Sequence, residues 1–151
     1  MNFFKNKNVI KDKKKVAETL TRILTITQEV EEAIQYQKSK TPNYHEMERL
    51  VRENYHSETG ILNDIIARQE NVYDKTLEFI GASASKHNAL LNQLESVPDI
   101  VERSSVKDFS RLKDDVGNLE SSVQSIAITY SKKTSGFLSS FSKEVKKYTH
   151  Q

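Results

Sequence analysis

The chain has no cysteine and no tryptophan, and only two prolines and four glycines among its 151 residues. Without cysteine there is no disulfide framework, thiol nucleophile or thiolate metal site. With so little glycine there is no phosphate-cradling loop, and no serine stands in a Gly-x-Ser-x-Gly elbow. No stretch approaches the roughly 20 apolar residues that span a bilayer, and the first fifteen residues hold no run long enough for a signal peptide. Their lysines come without arginine and beside Asp12, against a mitochondrial presequence. The expectation is a cytoplasmic protein, at most peripheral to a membrane.

What is present is helical periodicity. Phe109, Leu112, Val116, Leu119, Val123, Ile126 and Tyr130 follow in alternating steps of three and four, the spacing of a seam packed against other helices. Val16, Leu20, Ile23, Thr27, Val30 and Ile34 repeat the pattern. A more ragged third copy runs from Met47 to Val97 through Ile65, Val72, Phe79, Leu90 and Leu94. Apolar residues make up 36% of the chain and charged residues 29%, too few apolar groups for a broad core but enough to line helical seams.

Two sites punctuate the pattern. Thr41 can cap a helix that begins with Pro42, whose missing N–H has no partner to lose at that position. Ser96 and Asp99 have capping-box spacing around Pro98, and Ser104-Ser105 is a competing start. The spacing therefore predicts helices over 15–38, 43–97 and 99–148 behind a basic segment, 1–14, that is disordered or amphipathic. The expected fold is all-α, an elongated antiparallel three-helix bundle or coiled coil occupying 15–151. A break near Gly81 would make four helices, but the apolar phase nearly continues across it and a continuous or bent helix is expected. The predicted packing seam is Leu20, Ile23, Val30 and Ile34, then Ile65, Val72 and Phe79, then Leu112, Val116, Leu119, Val123 and Ile126. In the middle helix the seam also carries Glu58, Gln69, Thr76 and Ser83, and Leu62, Ile66, Val72 and Tyr73 read as a flank off that stripe which, with Ile128, is left for a partner chain. A short first helix would bring the N-terminal tail out beside Lys132 and Lys133.

Charge is sorted along the chain. Residues 1–15 hold six lysines and one acid, residues 131–151 five lysines and one acid, and the stretch between them is net acidic. Basic ends suggest contact with an anionic surface. The residues expected to make it are Phe3, Phe4, Lys5, Lys7, Lys11, Lys13, Lys14 and Lys15 at one end, and Lys132, Lys133, Phe137, Phe141, Lys143, Lys146 and Lys147 at the other. Phe137, Leu138, Phe141, Val145 and Tyr148 share a helical face that suits either a membrane interface or a docked helix. Nucleic acid ranks behind these partners, because the ends carry no arginine and an acidic body repels phosphate.

Signals for chemistry are sparse. Glu53 and His56 form a Glu-x-x-His step, but a di-iron bundle needs two such motifs and two further glutamates. His45, His87 and His150 have no glutamate three residues before them. A solvated helix face is the better reading, and neither a metal nor a cofactor is expected. The expectation is a non-enzymatic protein.

A basic, aromatic-tipped N-terminal segment followed by three long helices resembles the plan of BAR-domain membrane scaffolds. The resemblance implies a homodimer joined through its helices, with lysines on anionic lipid headgroups and the N-terminal segment folding on the bilayer. The expected function is thus a scaffold binding an anionic membrane surface through basic ends. The alternative is a coiled-coil subunit or adaptor of a larger assembly, whose exposed seams meet a helical protein partner.

Overall fold

The computed structural model describes residues 3–5, 7–102 and 105–149. Three long helices dominate: α1 (Lys7–Tyr55), α2 (Gly60–Glu95) and α3 (Val106–Thr149). Two three-residue strands, β1 (Phe3–Lys5) and β2 (Ile100–Glu102), pair antiparallel with Phe4 opposite Val101. The all-helical expectation holds at the level of three helices packed together. Their boundaries differ from the expected ones.

The largest difference is at Pro42, which sits inside α1 rather than at the start of a second helix. Thr41 caps nothing; its hydroxyl donates to the Gln37 carbonyl one turn back. The helix continues because its inward seam stays in phase. Val30, Ile34, Gln37, Thr41, Tyr44, Glu48 and Val51 all face inward to some degree, in steps of three and four. Pro42 is exposed, so the carbonyl that loses its N–H partner can turn to water. The chain reverses instead at 56–59, where His56 takes a left-handed conformation (φ 49°) that closes α1. Thr59 then precedes α2, its hydroxyl bonded to the buried Glu48 carboxylate.

At the next connection Ser96 prolongs the end of α2, its N–H and hydroxyl both donating to the Asn92 carbonyl. Residues 100–102 are taken by the strand ladder, and α3 begins at Val106 after Ser105. The Ser96–Asp99 start is therefore not used. At Gly81 α2 is continuous, as the apolar phase implied.

The chain divides into two compact units, and each helix contributes to both. The first comprises Met1–Gln28 and Phe79–Ser125. In its core Val16, Leu20 and Ile23 from α1 meet Leu90 and Leu94 from α2 and Phe109, Leu112, Val116, Leu119 and Val123 from α3, with Val101 of β2 closing one side. Arg22 reaches Glu120 at 3.0 Å and Lys113 reaches Asp12 at 3.0 Å, so α1 and α3 run parallel here. The N-terminal strand lies against 100–102 in this unit, whereas Lys132 and Lys133 belong to the other. The longer α1, which starts at Lys7 and reverses at 56–59, thus puts the strand and those lysines, expected side by side, in different units.

The second unit comprises Glu29–Glu78 and Ile126–Gln151. Its core joins Val51 of α1 to Leu62, Ile65 and Ile66 of α2 and Phe137 and Phe141 of α3, with Tyr44, Val145 and Tyr148 packed around them. The Tyr44 ring meets Phe137 and Phe141 edge-on at 5.0 and 5.2 Å. Gln69 donates to Thr134 at 2.9 Å, and the Tyr73 and Tyr130 rings lie 6.5 Å apart. Partner numbers fall on α3 as they rise on α2, so these helices are antiparallel.

Candidate functional site

Few of the residues expected at an anionic surface form a common patch. The backbones of Phe3, Phe4 and Lys5 lie in β1 and Lys7 opens α1, while the side chains of these four fall outside the described residues. Lys11, Lys14 and Lys15 are exposed on the first turns of α1. Lys13 is committed elsewhere: its ammonium donates to the Val97 carbonyl at 2.6 Å and meets Asp99 at 3.3 Å, tying α1 to the α2–β2 connection. Lys132, Lys133, Lys143, Lys146 and Lys147 are exposed along α3, and Lys147 pairs with Glu144 at 3.0 Å.

Phe137 and Phe141 are a correction. They are core residues of the second unit, 7% and 3% exposed, and present nothing to a bilayer. The α3 stripe they start faces α1 and α2 because Tyr44, Val51 and Ile65 supply apolar surface for it. Only Leu138 of that aromatic face is substantially exposed.

Helix α2 holds the more informative arrangement. Leu62, Ile66 and Tyr73, expected on an outer flank, are among the most deeply buried side chains. With Gln69, Thr76, Ile80, Ser83, His87, Leu90 and Leu94 they form the inward face. Beside it runs a second stripe, Ile61, Ile65, Arg68, Val72 and Lys75, in steps of four and three. Of the predicted seam, Val72, Phe79 and Ile126 are half-buried and the other nine positions are buried.

Within the second unit this stripe and α3 border a cleft of about 370 Å³ lined by Ile65, Arg68, Val72, Lys133, Gly136, Phe137 and Ser140 among others. A smaller one of about 150 Å³ adjoins it, sharing Val72 and Lys133 and adding Lys75 and Ile126. Its floor is apolar at Ile65, Val72, Ile126 and Phe137 and polar at Gln69 and Thr76, and its charged rim is entirely basic: no acidic residue lines either part. Asp64, one turn from Arg68, offers that guanidinium its backbone carbonyl at 3.4 Å, not its carboxylate. Two acids of α2 face the other way. Glu70 and Asp74 border the opposite groove beside Lys38, Thr41 and Pro42, where Glu70 meets His45 at 2.9 Å. Sequence reasoning missed Arg68 and Lys75. Their signal is the second three-four register, interleaved with the one that fills the core.

The interior also holds polar groups. The hydroxyls of Tyr73 and Tyr130 are buried without a hydrogen-bond partner, although Thr41 and Gln69 stand beside the first and Thr134 beside the second. Burial pushes both phenols above their ordinary range. In the first unit the buried His87 bonds the Leu20 carbonyl through Nε2 at 3.0 Å, which makes Nε2 the protonated nitrogen, and Nδ1 has no partner. Tyr130 lines the smaller part of the cleft, and Tyr73 the groove beside Glu70.

The Glu53–His56 step does not form a ligand pair. Glu53 is held by Arg49, and His56 lies beyond the end of α1 in its left-handed cap. Among the described residues no cluster of histidines and acids is arranged to hold a metal ion, and no helix is long and apolar enough to cross a membrane. His150 lies outside the described residues. No protein-family model, curated protein or solved structure matches this chain.

Proposed function

We propose that this chain is a non-enzymatic helical scaffold that works by docking other helical proteins, as an adaptor or subunit of a larger assembly. One observation carries the reading. Helix α2 has two interleaved three-four stripes, of which one fills the core and the other, buried at Ile65, half-buried at Val72 and exposed at Ile61, Arg68 and Lys75, borders an open cleft. A helix needs one apolar stripe to fold into a bundle, and a second is a seam for a further helix. Burial of Phe137 and Phe141 also supports it, since it removes the apolar wedge that insertion into a bilayer would use.

A second reading keeps the anionic membrane as partner, with the chain acting as a BAR-like homodimer. It is favoured by the exposed lysines: Lys11, Lys14 and Lys15 on α1, and Lys132, Lys133, Lys143 and Lys146 on α3. Each lysine near an anionic bilayer contributes about 1 kcal/mol. Liposome co-sedimentation separates the two. The adaptor reading expects no binding to phosphatidylserine vesicles beyond that to neutral ones at physiological salt. Binding confined to anionic vesicles, abolished by high salt, would replace it with the membrane reading.

A further inference from the structure

We propose that the α2–α3 cleft of the second unit seats a fourth helix, contributed by another protein, that is amphipathic and acidic along its flanks. The inference rests on the adaptor reading and gives it an address and a partner chemistry. The cleft has the dimensions of a helix seat. From Ile61 to Lys75 the outer stripe of α2 spans about 20 Å at ~1.5 Å per residue, four helical turns. Across it, Gly136 and Ser140 of α3 present almost no side chain, and the space over Gly136 is open. Small residues on one wall let a docking helix approach closely, while Ile65, Val72 and Ile126 supply apolar contact below it. Ile61, 56% exposed, extends the stripe toward the α1–α2 turn.

Charge selects the occupant. Arg68, Lys75 and Lys133 stand around the apolar floor, none of them makes an ion pair among the described residues, and no acid lines the cleft. A basic or neutral helix seated there would bury apolar surface but leave three cations facing nothing. Glutamates flanking its apolar seam would neutralise them, and charge complementarity of this kind sets register and rejects wrong partners. A lipid headgroup matches the cations but not the apolar floor. A second copy of the chain fits less well: the acids flanking its exposed Met47 and Leu50, Glu46 and Glu53, are already paired with Arg49, and its face around Glu29, Glu31 and Glu32 is otherwise Gln28, Ala33, Gln35 and Tyr36, without an apolar stripe.

The test uses the full chain and a designed probe. The probe is a 21-residue peptide with leucine at two positions per heptad and glutamate on both flanks, whose like charges keep it from pairing with itself. A twin carries lysine on the flanks. The chain lacks cysteine, so Ser140→Cys gives a unique spin-label site in the cleft. Fluorescence anisotropy should show saturable one-to-one binding of the glutamate peptide, with the label immobilised. Arg68→Glu with Lys133→Glu should weaken it about tenfold or more and admit the lysine peptide. Lys132→Glu with Lys146→Glu makes the same change in net charge outside the cleft and should leave affinity within about twofold. Equal loss from both pairs, or binding that leaves the label mobile, overturns the seat while leaving the adaptor reading standing. Immobilisation that rises with chain concentration alone overturns it in favour of self-association. Immobilisation by phosphatidylserine vesicles but not by peptide overturns both the seat and the adaptor reading.

Discussion

Leu62 and Val72 differ by ten positions on one helix; on the sequence alone Leu62 reads as flank, while Val72 falls on both the seam and the flank. The structure separates them, with Leu62 fully buried and Val72 half-buried at the cleft. Truncation to alanine distinguishes the two assignments. Leu62→Ala removes three carbon groups from a buried site, about 2.4 kcal/mol at ~0.8 kcal/mol per buried CH₂. The cavity left between Val51, Ile66 and Phe141 raises the expected cost into the range of about 2–5 kcal/mol. Val72→Ala removes two carbons that are mostly buried, roughly 1–1.5 kcal/mol, and regains about 0.5 kcal/mol of helix propensity by losing a β-branch. Its net cost is about 0.5–1 kcal/mol. In urea unfolding followed at 222 nm, with m near ~2 kcal/mol/M, the Leu62→Ala midpoint should fall by more than about 1 M and the Val72→Ala midpoint by less than about 0.5 M. Equal shifts, or a larger shift for Val72→Ala at unchanged m, would refute the assignment of the outer stripe and with it the free cleft.

Two further outcomes follow from the same packing. Pro42→Ala should stabilise the chain by about 1–3 kcal/mol, because it restores an N–H to a continuous helix and removes the ring's clash with the preceding turn; an unchanged or lower urea midpoint would place a real break at that position. The Tyr73 and Tyr130 phenols are raised by burial above the ordinary 10.0, so the stability tied to their neutral form is complete below about pH 10 and lost as pH climbs through the raised folded-state values. Tyr73→Phe combined with Tyr130→Phe should therefore flatten the alkaline unfolding limb, and an identical limb in the double variant would refute the burial.

How far the fold is legible depends on whether each helix keeps polar residues out of its core. In α3 the stripe from Phe109 to Tyr130 is almost wholly apolar, and its inward face follows from counting. In α1 a local rule competed with a long-range one. Pro42 after a capping residue is a sound helix start, yet one lost hydrogen bond, about 3 kcal/mol with the steric term, is outweighed by the burial of Ile34, Tyr44 and Val51 on one unbroken seam. That seam was hidden because Gln37, Thr41 and Glu48 occupy three of its positions. Helix α2 is legible in part. Gln69, Thr76 and Ser83 read as seam positions and are inward, His87 joins them, and two of the four are satisfied by groups distant in sequence, Gln69 by Thr134 and His87 by the Leu20 carbonyl. Leu62, Ile66 and Tyr73, by contrast, read as a flank and are core.

Over 61–76 a count of apolar residues does not separate the two stripes, Ile61, Ile65 and Val72 on one and Leu62, Ile66 and Tyr73 on the other. That parity bears on function. Gln69 and His87 cost less in the core because cross-helix partners exist for them, whereas Ile61, 56% exposed, gains little from this chain's own fold and Val72 and Ile126 stay partly open. Folding alone would tolerate the reverse distribution. A stripe that is apolar where the monomer leaves it open, and basic at its margins with every α2 acid outside the cleft, is what a docking helix requires and what an isolated three-helix unit does not.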